Sequence, residues 1–221
     1  MPDSAQRCVI VVAGGDVAPV PDLARVLPPH AFVIAADSGV RHARTLGLTI
    51  DVAIGDFDSA TASEVDYAAA LGATVLRYPV AKDKTDLELA LDHACSVAGT
   101  GARIVVIASA SGRLDHAMAN VLLLVSSAYA DVVIDAYVDD WLISVVRNER
   151  RALHARRGAL VSLLVIDAPA VRVTTTGLEY PLRDELVYQS STRGVSNVAI
   201  DGQFEVQADG GALLAMREWA D

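Results

Sequence analysis

The feature that most limits what this chain can fold into is a change of rhythm near residue 140 of its 221 residues. Before that point, apolar runs at 8–13, 32–36, 52–54, 74–77, 103–108 and 131–136 alternate with helical segments. Short buried strands separated by helices predict a largely parallel sheet covered on both faces. After it, strand-like runs at 142–146, 159–166, 171–175, 186–189, 195–200, 203–206 and 212–216 are separated by Gly, Asp and Pro. That spacing predicts a compact antiparallel sandwich. The expected fold is α/β: a Rossmann-like, largely parallel sheet with helices on both faces over 1–138, then a β-sandwich over 139–221. Asp201-Gly202 reads as a hairpin turn between strands. The arginine-rich stretch 147–157 reads as a solvated connection between strands.

Charge narrows the function classes. With 28 acidic and 18 basic residues the formal charge is −10, which disfavours binding a phosphate backbone over a broad surface. Nucleic acid is therefore not an expected partner. No uninterrupted apolar stretch reaches the roughly 18 residues of a membrane span, and the first residues lack a leader's apolar region. These readings predict a cytoplasmic protein with no membrane partner. Cys8 and Cys95 are expected to be buried thiols.

Three acidic strings carry the chemistry. Gly55-Asp56-Phe57-Asp58-Ser59 follows an apolar run, and an extended backbone there aims both carboxylates to one side. Two unit charges about 5 Å apart at an effective dielectric of about 20 repel by roughly 3 kcal/mol. A divalent cation turns that repulsion into attraction, and Mg²⁺ takes such oxygen ligands together with substrate phosphates. An Asx turn is the plainer reading of the same string. In Asp83-Lys84-Thr85-Asp86, Thr85 with Glu88 predicts a capping box, and Leu87, Ala90, Leu91, Ala94 and Ala98 recur at helical spacing. The helix then begins at Asp86, with Lys82 and Lys84 beside its anion-favouring N-terminus. Asp86 reads either as a ligand or as ordinary compensation of the helix dipole. The third string, Gly112-Arg113-Leu114-Asp115-His116, follows the run 103–108 and opens a helix with Met118, Val121, Leu122 and Val125 on one face. Its loop belongs at the carboxyl end of a strand, where open α/β sheets place ligands. Arg113 suits a phosphate, while Asp115 reads as a helix cap, as an orienter of Arg113 or as a catalytic group. Gly14-Gly15 and Asp37-Ser38-Gly39 are tight turns expected at the same edge.

Taken in order, these strings, with Asn120, Thr176-Gly177-Leu178-Glu179-Tyr180-Pro181-Leu182 and Gly194-Val195-Ser196-Asn197 beyond them, resemble the thiamine pyrophosphokinase family. The resemblance implies transfer of the terminal diphosphate of ATP to the hydroxyl of thiamine, releasing AMP. It implies Mg²⁺ on Asp56, Asp58 and Asp86, a further catalytic carboxylate at Asp37, and ATP contacts at Lys84, Thr85, Arg113, Asp115 and Asn120. It implies thiamine contacts at Ser196 and Asn197, and a homodimer in which the partner's C-terminal domain completes the thiamine site. Two positions depart from the family pattern. Ser38 stands where the family carries the first Gly of Asp-Gly-Gly, and Ala215 stands where animal members carry a Trp that stacks on thiamine, which implies either weaker thiamine binding or a substitute such as Trp219. A diphosphotransferase acting on a hydroxymethyl pterin and a non-catalytic thiamine or nucleotide sensor are the alternatives on the same scaffold.

Overall fold

The computed structural model describes residues 8–15 and 23–219, and the stretch read above for a leader lies outside them. By its internal contacts the chain divides into one unit of residues 1–120 and 131–139 and a second of 121–130 and 140–221.

In the first unit, β1 (Cys8–Val12), β2 (Phe32–Ala36), β3 (Val52–Gly55), β4 (Thr74–Arg77), β5 (Arg103–Ala108) and β6 (Val133–Val138) lie in the order β4-β3-β2-β1-β5-β6. Every pairing within this set is parallel. The residues of β1, β2 and β5 beyond the first are all buried, whichever face they point to. Such strands need cover on both faces, which explains why they read as unbroken apolar runs. Between them run α1 (Leu23–Val26), α2 (Gly39–Thr45), α3 (Ala62–Ala70), α4 (Asp86–Ala98) and, after β5, α5 (Leu114–Leu123). Helix α4 buries Leu87, Ala90, Leu91 and Ala94 and packs on β1, β2 and β3, while α2 packs on β1 and β2.

Strand order reverses at β1, whose neighbours are β2 on one side and β5 on the other. At such a switch point the connections that leave the neighbouring strands part from one another, and the crevice outside the carboxyl ends is where α/β sheets bind ligands.

The second unit is a sandwich. One face is β7 (Trp141–Arg147), β14 (Ala212–Glu218), β9 (Leu160–Val165) and β12 (Asn197–Val198), all antiparallel. The other is β8 (Arg150–His154), β13 (Gln203–Asp209), β10 (Ala170–Thr176) and β11 (Glu185–Tyr188), also antiparallel. Phe204, Leu163, Leu182, Val173 and Leu213 meet in its core.

Several expectations change. The arginine-rich stretch runs from the end of β7 through a turn into strand β8, in which Leu153 is buried while its neighbours Ala152 and His154 are exposed, so its middle is a strand set by alternation rather than a connection. Asp201-Gly202 makes no hairpin, because β12 pairs with β9 whereas β13 pairs with β8 and β10. Helix α5 buries no residue, and Met118 and Leu122 are exposed. Both cysteines are free and half-buried rather than fully enclosed, and burial raises each thiol's pKa.

Gly39, the first residue of α2, is pressed against β1. A Cβ there would come within 2.1 Å of the Val12 carbonyl oxygen. In an open helix, Gly→Ala stabilises by up to about 1 kcal/mol, but here the clash is with backbone. Gly39→Ala is expected to lower stability by about 1–3 kcal/mol, seen as a lower urea midpoint at unchanged slope.

Candidate active site

Four strand ends and one helix start surround a cleft of about 670 Å³. Its lining includes Gly14 and Gly15 after β1, Asp37 after β2, Asp56, Asp58 and Ser59 after β3, Ser111 to Arg113 after β5, and Thr85 and Asp86 at the start of α4.

Carboxylate oxygens of Asp37, Asp56 and Asp58 lie within 4.8 Å of one another. Asp56 and Asp58 do not reach this position as alternate residues of a strand. Strand β3 stops at Gly55, and Phe57 adopts φ +58°, a conformation uncommon for a bulky residue. Its ring is buried and lies beneath the Arg77 guanidinium, 5.1 Å from ring centre to charge. The chain thus turns between the two acids, and the Asp58 N–H donates to Asp56 Oδ1 at 3.2 Å. Asp37 is also left-handed, at φ +48°, and is buried. Asp37 and Phe57 are strained positions of the kind that cluster at functional sites.

Asp86, expected with Asp56 and Asp58, stands outside that closest triple and joins it through Lys82. The Lys82 ammonium bonds Asp56 Oδ2 and lies 3.2 Å from Asp86 Oδ1. Gly55 makes the approach possible: at φ +146°, a Cβ would sit 3.0 Å from Asp86 Oδ1. The hydrogen bond from Lys82 holds the Asp56 carboxyl below its usual range against the opposing effect of burial. Burial raises Asp86, helped by the charges of Asp56 and Asp37 and opposed by Lys82. Burial alone lowers Lys82, but its two carboxylate partners more than offset this and raise it. Asp37 Oδ1 is buried without a hydrogen-bond partner, whereas Asp86 Oδ1 faces the Lys82 ammonium. A buried charged oxygen left unbonded is costly, so Asp37 Oδ1 is preorganised for a cation or a donor from a ligand.

The other expected residues are placed less uniformly. Thr85 caps α4, accepting from the Glu88 N–H at 3.2 Å. The reciprocal half of a capping box is not formed; the Glu88 carboxylate instead pairs with Lys84 at 3.3 Å. The complete box belongs to Thr61 and Glu64 at α3. Lys84 stays on the rim, its ammonium also 2.5 Å from Asp92. Arg113 and Asp115 face each other through two bonds, of 3.1 and 2.5 Å, and are largely exposed. The guanidinium holds Asp115 down at about 2. Asn120 lines the cleft from α5.

In the second unit, Asn197 is buried and committed locally. Its Oδ1 accepts from the Tyr180 and Val198 N–H groups, and its Nδ2 donates to the Tyr180 carbonyl at 2.7 Å. Ser196 is exposed, with φ +59°. Ala215 is fully enclosed in the sandwich core, so its side chain offers no ligand surface. Trp219 is half-buried.

Sequence reasoning did not single out Asp139. Its carboxylate accepts from Ser109 Oγ at 2.8 Å and from the Ala110 N–H at 2.9 Å, fixing the loop that leads to Arg113. Nothing local marks it, because the contact spans 30 residues.

A parallel sheet whose switch-point crevice holds clustered carboxylates, a lysine and a helix N-terminus defines the class of α/β enzymes that act on phosphate-bearing substrates. Residues 23–134 match the model of the thiamin pyrophosphokinase catalytic domain, and residues 144–213 match that family's vitamin B1 binding domain. The chain belongs to the thiamin pyrophosphokinase family. It is 27% identical over 212 residues to thiamine pyrophosphokinase of Bacillus subtilis, covering 96% of this chain and 98% of that protein. The crystal structure of the Bacillus subtilis enzyme superposes with a TM-score of 0.83 at 28% identity, covering 97% of this chain and all of that one. That of thiamin pyrophosphokinase from Geobacillus thermodenitrificans gives 0.78 at 27% identity, with 97% and 98% covered.

Replacing Lys82 by Met leaves Asp56 and Asp86 without their cationic partner. In metal-free protein at pH 7 this variant is expected to lose about 2 kcal/mol, between the values for exposed and buried pairs. Asp56 has its folded pKa depressed, so its pairing stabilises above the unfolded value of about 3.9 and is lost as pH falls through the folded one. The gap between Lys82→Met and the parent protein should therefore narrow below about pH 4, measured by urea unfolding.

Proposed function

We infer that this enzyme of the thiamin pyrophosphokinase family uses the carboxyl-edge cleft to pass the terminal diphosphate of ATP to the hydroxyl of thiamine, giving thiamine diphosphate and AMP. The observation that carries the assignment of this cleft is the convergence of Asp37, Asp56 and Asp58, with Asp37 Oδ1 buried and without a partner. Such an all-oxygen donor set suits Mg²⁺. Asp56, Asp58 and Asp86, joined by Asp37, would hold it. When bound, the ion neutralises charge on the phosphate oxygens.

The chain's own groups supply the rest. The backbone N–H groups of Gly14 and of the first turn of α4 would meet phosphate, and α4's dipole favours its charge. Lys82 adds a positive charge beside Asp56 and Asp86, while Lys84, Thr85, Arg113, Asp115 and Asn120 form the proposed nucleotide contacts. In the reaction, the thiamine hydroxyl oxygen bonds to the β-phosphorus as that phosphorus separates from the oxygen retained by AMP. The hydroxyl proton passes to the Asp37 carboxylate, which lies buried at the cleft floor.

Thiamine is proposed to meet the second unit at Ser196, with Asn197 holding the Tyr180 segment beside it, and the site to be completed across a homodimer. The family match does not favour the pterin or sensor alternatives. Two free thiols accord with a cytoplasmic setting, and among the described residues no helix is long and apolar enough to cross a membrane.

Incubation with ATP, Mg²⁺ and either thiamine or a hydroxymethyl pterin should release AMP only with thiamine. Asp86→Asn, with its fold verified by circular dichroism, should lower that turnover at least about 100-fold, roughly 3 kcal/mol of barrier. Near-parental turnover would remove Asp86 from the site.

A further inference from the structure

Ser38 stands at the N-cap of α2, the position where a serine hydroxyl ordinarily bonds the helix's own free N–H groups. Here it makes no such bond, although its backbone is unstrained, at φ −64° and ψ −4°. The side chain is buried and turns instead toward Gly15 and Ser59, which line the cleft. Its Oγ lies 3.4 Å from the Gly15 N and 3.1 Å from Ser59 Oγ. Ser59 in turn bonds Asp37 Oδ2.

Counting protons sets the direction of this chain. A serine hydroxyl has one hydrogen to give, and an ionised carboxylate only accepts. The Ser59 hydroxyl is the donor toward both Asp37 Oδ2 and Ser38 Oγ and shares its one hydrogen between them, while Ser38 also accepts from the Gly15 N–H. Ser59 thus links the Asp37 carboxylate to Ser38, and Ser38 links it in turn to the Gly15 backbone. Gly14 gives independent support: its φ is not in the left-handed region, yet a Cβ would fall 2.7 Å from Ser38 Oγ. Glycine at 14 leaves room for that hydroxyl. The Gly15 carbonyl is gripped separately by His42 Nε2 at 2.5 Å.

We propose that Ser38 and Ser59 form a positioning relay that ties the Gly14-Gly15 turn after β1 to the Asp37 carboxylate after β2, directing Asp37 Oδ1 into the cleft. The relay occupies Oδ2 and leaves Oδ1 buried without a partner. It couples the nucleotide-facing turn to the cation-facing acid, so that ordering one orders the other. This rests on reading the cleft as a cation and nucleotide site.

The test uses Ser38→Ala, Ser38→Gly, Ser59→Ala and the Ser38→Ala/Ser59→Ala double variant. Mn²⁺ affinity is measured without nucleotide by electron paramagnetic resonance, beside kcat, the KM for ATP and for thiamine, and the urea midpoint. Each single variant should bind Mn²⁺ about fivefold more weakly, the effect of one lost hydrogen bond. The double variant should bind no more weakly than Ser59→Ala, as members of one chain do not add. The KM for ATP should rise while that for thiamine stays constant. Ser38→Gly should match Ser38→Ala, and because glycine is tolerated at an N-cap it keeps the test open if alanine does not fold. Losses that multiply in the double variant, a lower urea midpoint with unchanged Mn²⁺ affinity, or a parent protein that binds no Mn²⁺ would each overturn the relay. Release of AMP by the parent protein with unchanged Mn²⁺ affinity in the variants would sink the relay alone. Intact coupling without AMP release would sink the thiamine assignment alone.

Discussion

Negative charge gathered at one edge of a parallel sheet is the condition to which the first unit answers. Asp37, Asp56 and Asp58 stand within 4.8 Å of each other with Asp86 close behind, and carboxylates at that spacing repel by kilocalories unless something positive stands between them. Lys82 is the protein's own answer, with its ammonium shared between Asp56 and Asp86. It reaches only two of the four. Asp37 Oδ1 stays buried and unpaired, and one ammonium faces four carboxylates, so charge balance is incomplete. Such incompleteness costs stability and prepares a site for a charged substrate.

Holding repelling groups together requires a rigid frame, and the backbone supplies it. Gly55 lets the end of β3 come against Asp86. Phe57, strained at φ +58° but buried under Arg77, fixes the turn that separates Asp56 from Asp58. Gly39 sets α2 hard against β1, which places Ser38 and Asp37 beside the Gly14-Gly15 turn. Asp139 holds the loop after β5 from a position 30 residues further on. Each device is small, and each fixes one strand end relative to the next.

Much of this was legible in advance. Continuous apolar runs alternating with helical segments disclosed the parallel sheet, because strands buried on both faces have no polar side to show. The start of α4 was readable from Thr85 and the spacing of Leu87, Ala90, Leu91 and Ala94, since capping and helical periodicity are local effects. The short alternating runs after residue 140 announced the sandwich. Strand β8 was misread because its arginines dominate the composition, while the alternation that buries Leu153 occupies only a few residues. The Asp201-Gly202 turn was misread because turn chemistry does not say which strands will pair. The reciprocal capping bond of Glu88 was lost to Lys84, a competition decided by side-chain geometry.

The sequence by itself determined which chemical groups are present and which segments carry them: the acidic strings at strand ends, the helix that begins at Asp86, the apolar faces of both units and the order of motifs that marks the family. Those properties depend on neighbours a few residues apart. Only the tertiary structure decided which carboxylates meet. It brought Asp37 into the closest triple with Asp56 and Asp58, left Asp86 attached through Lys82, enclosed Ala215 within the sandwich, and turned the Ser38 hydroxyl away from its own helix. Distances between groups on different strands follow from sheet order and from where glycine allows backbones to touch, and no local pattern in the chain encodes them.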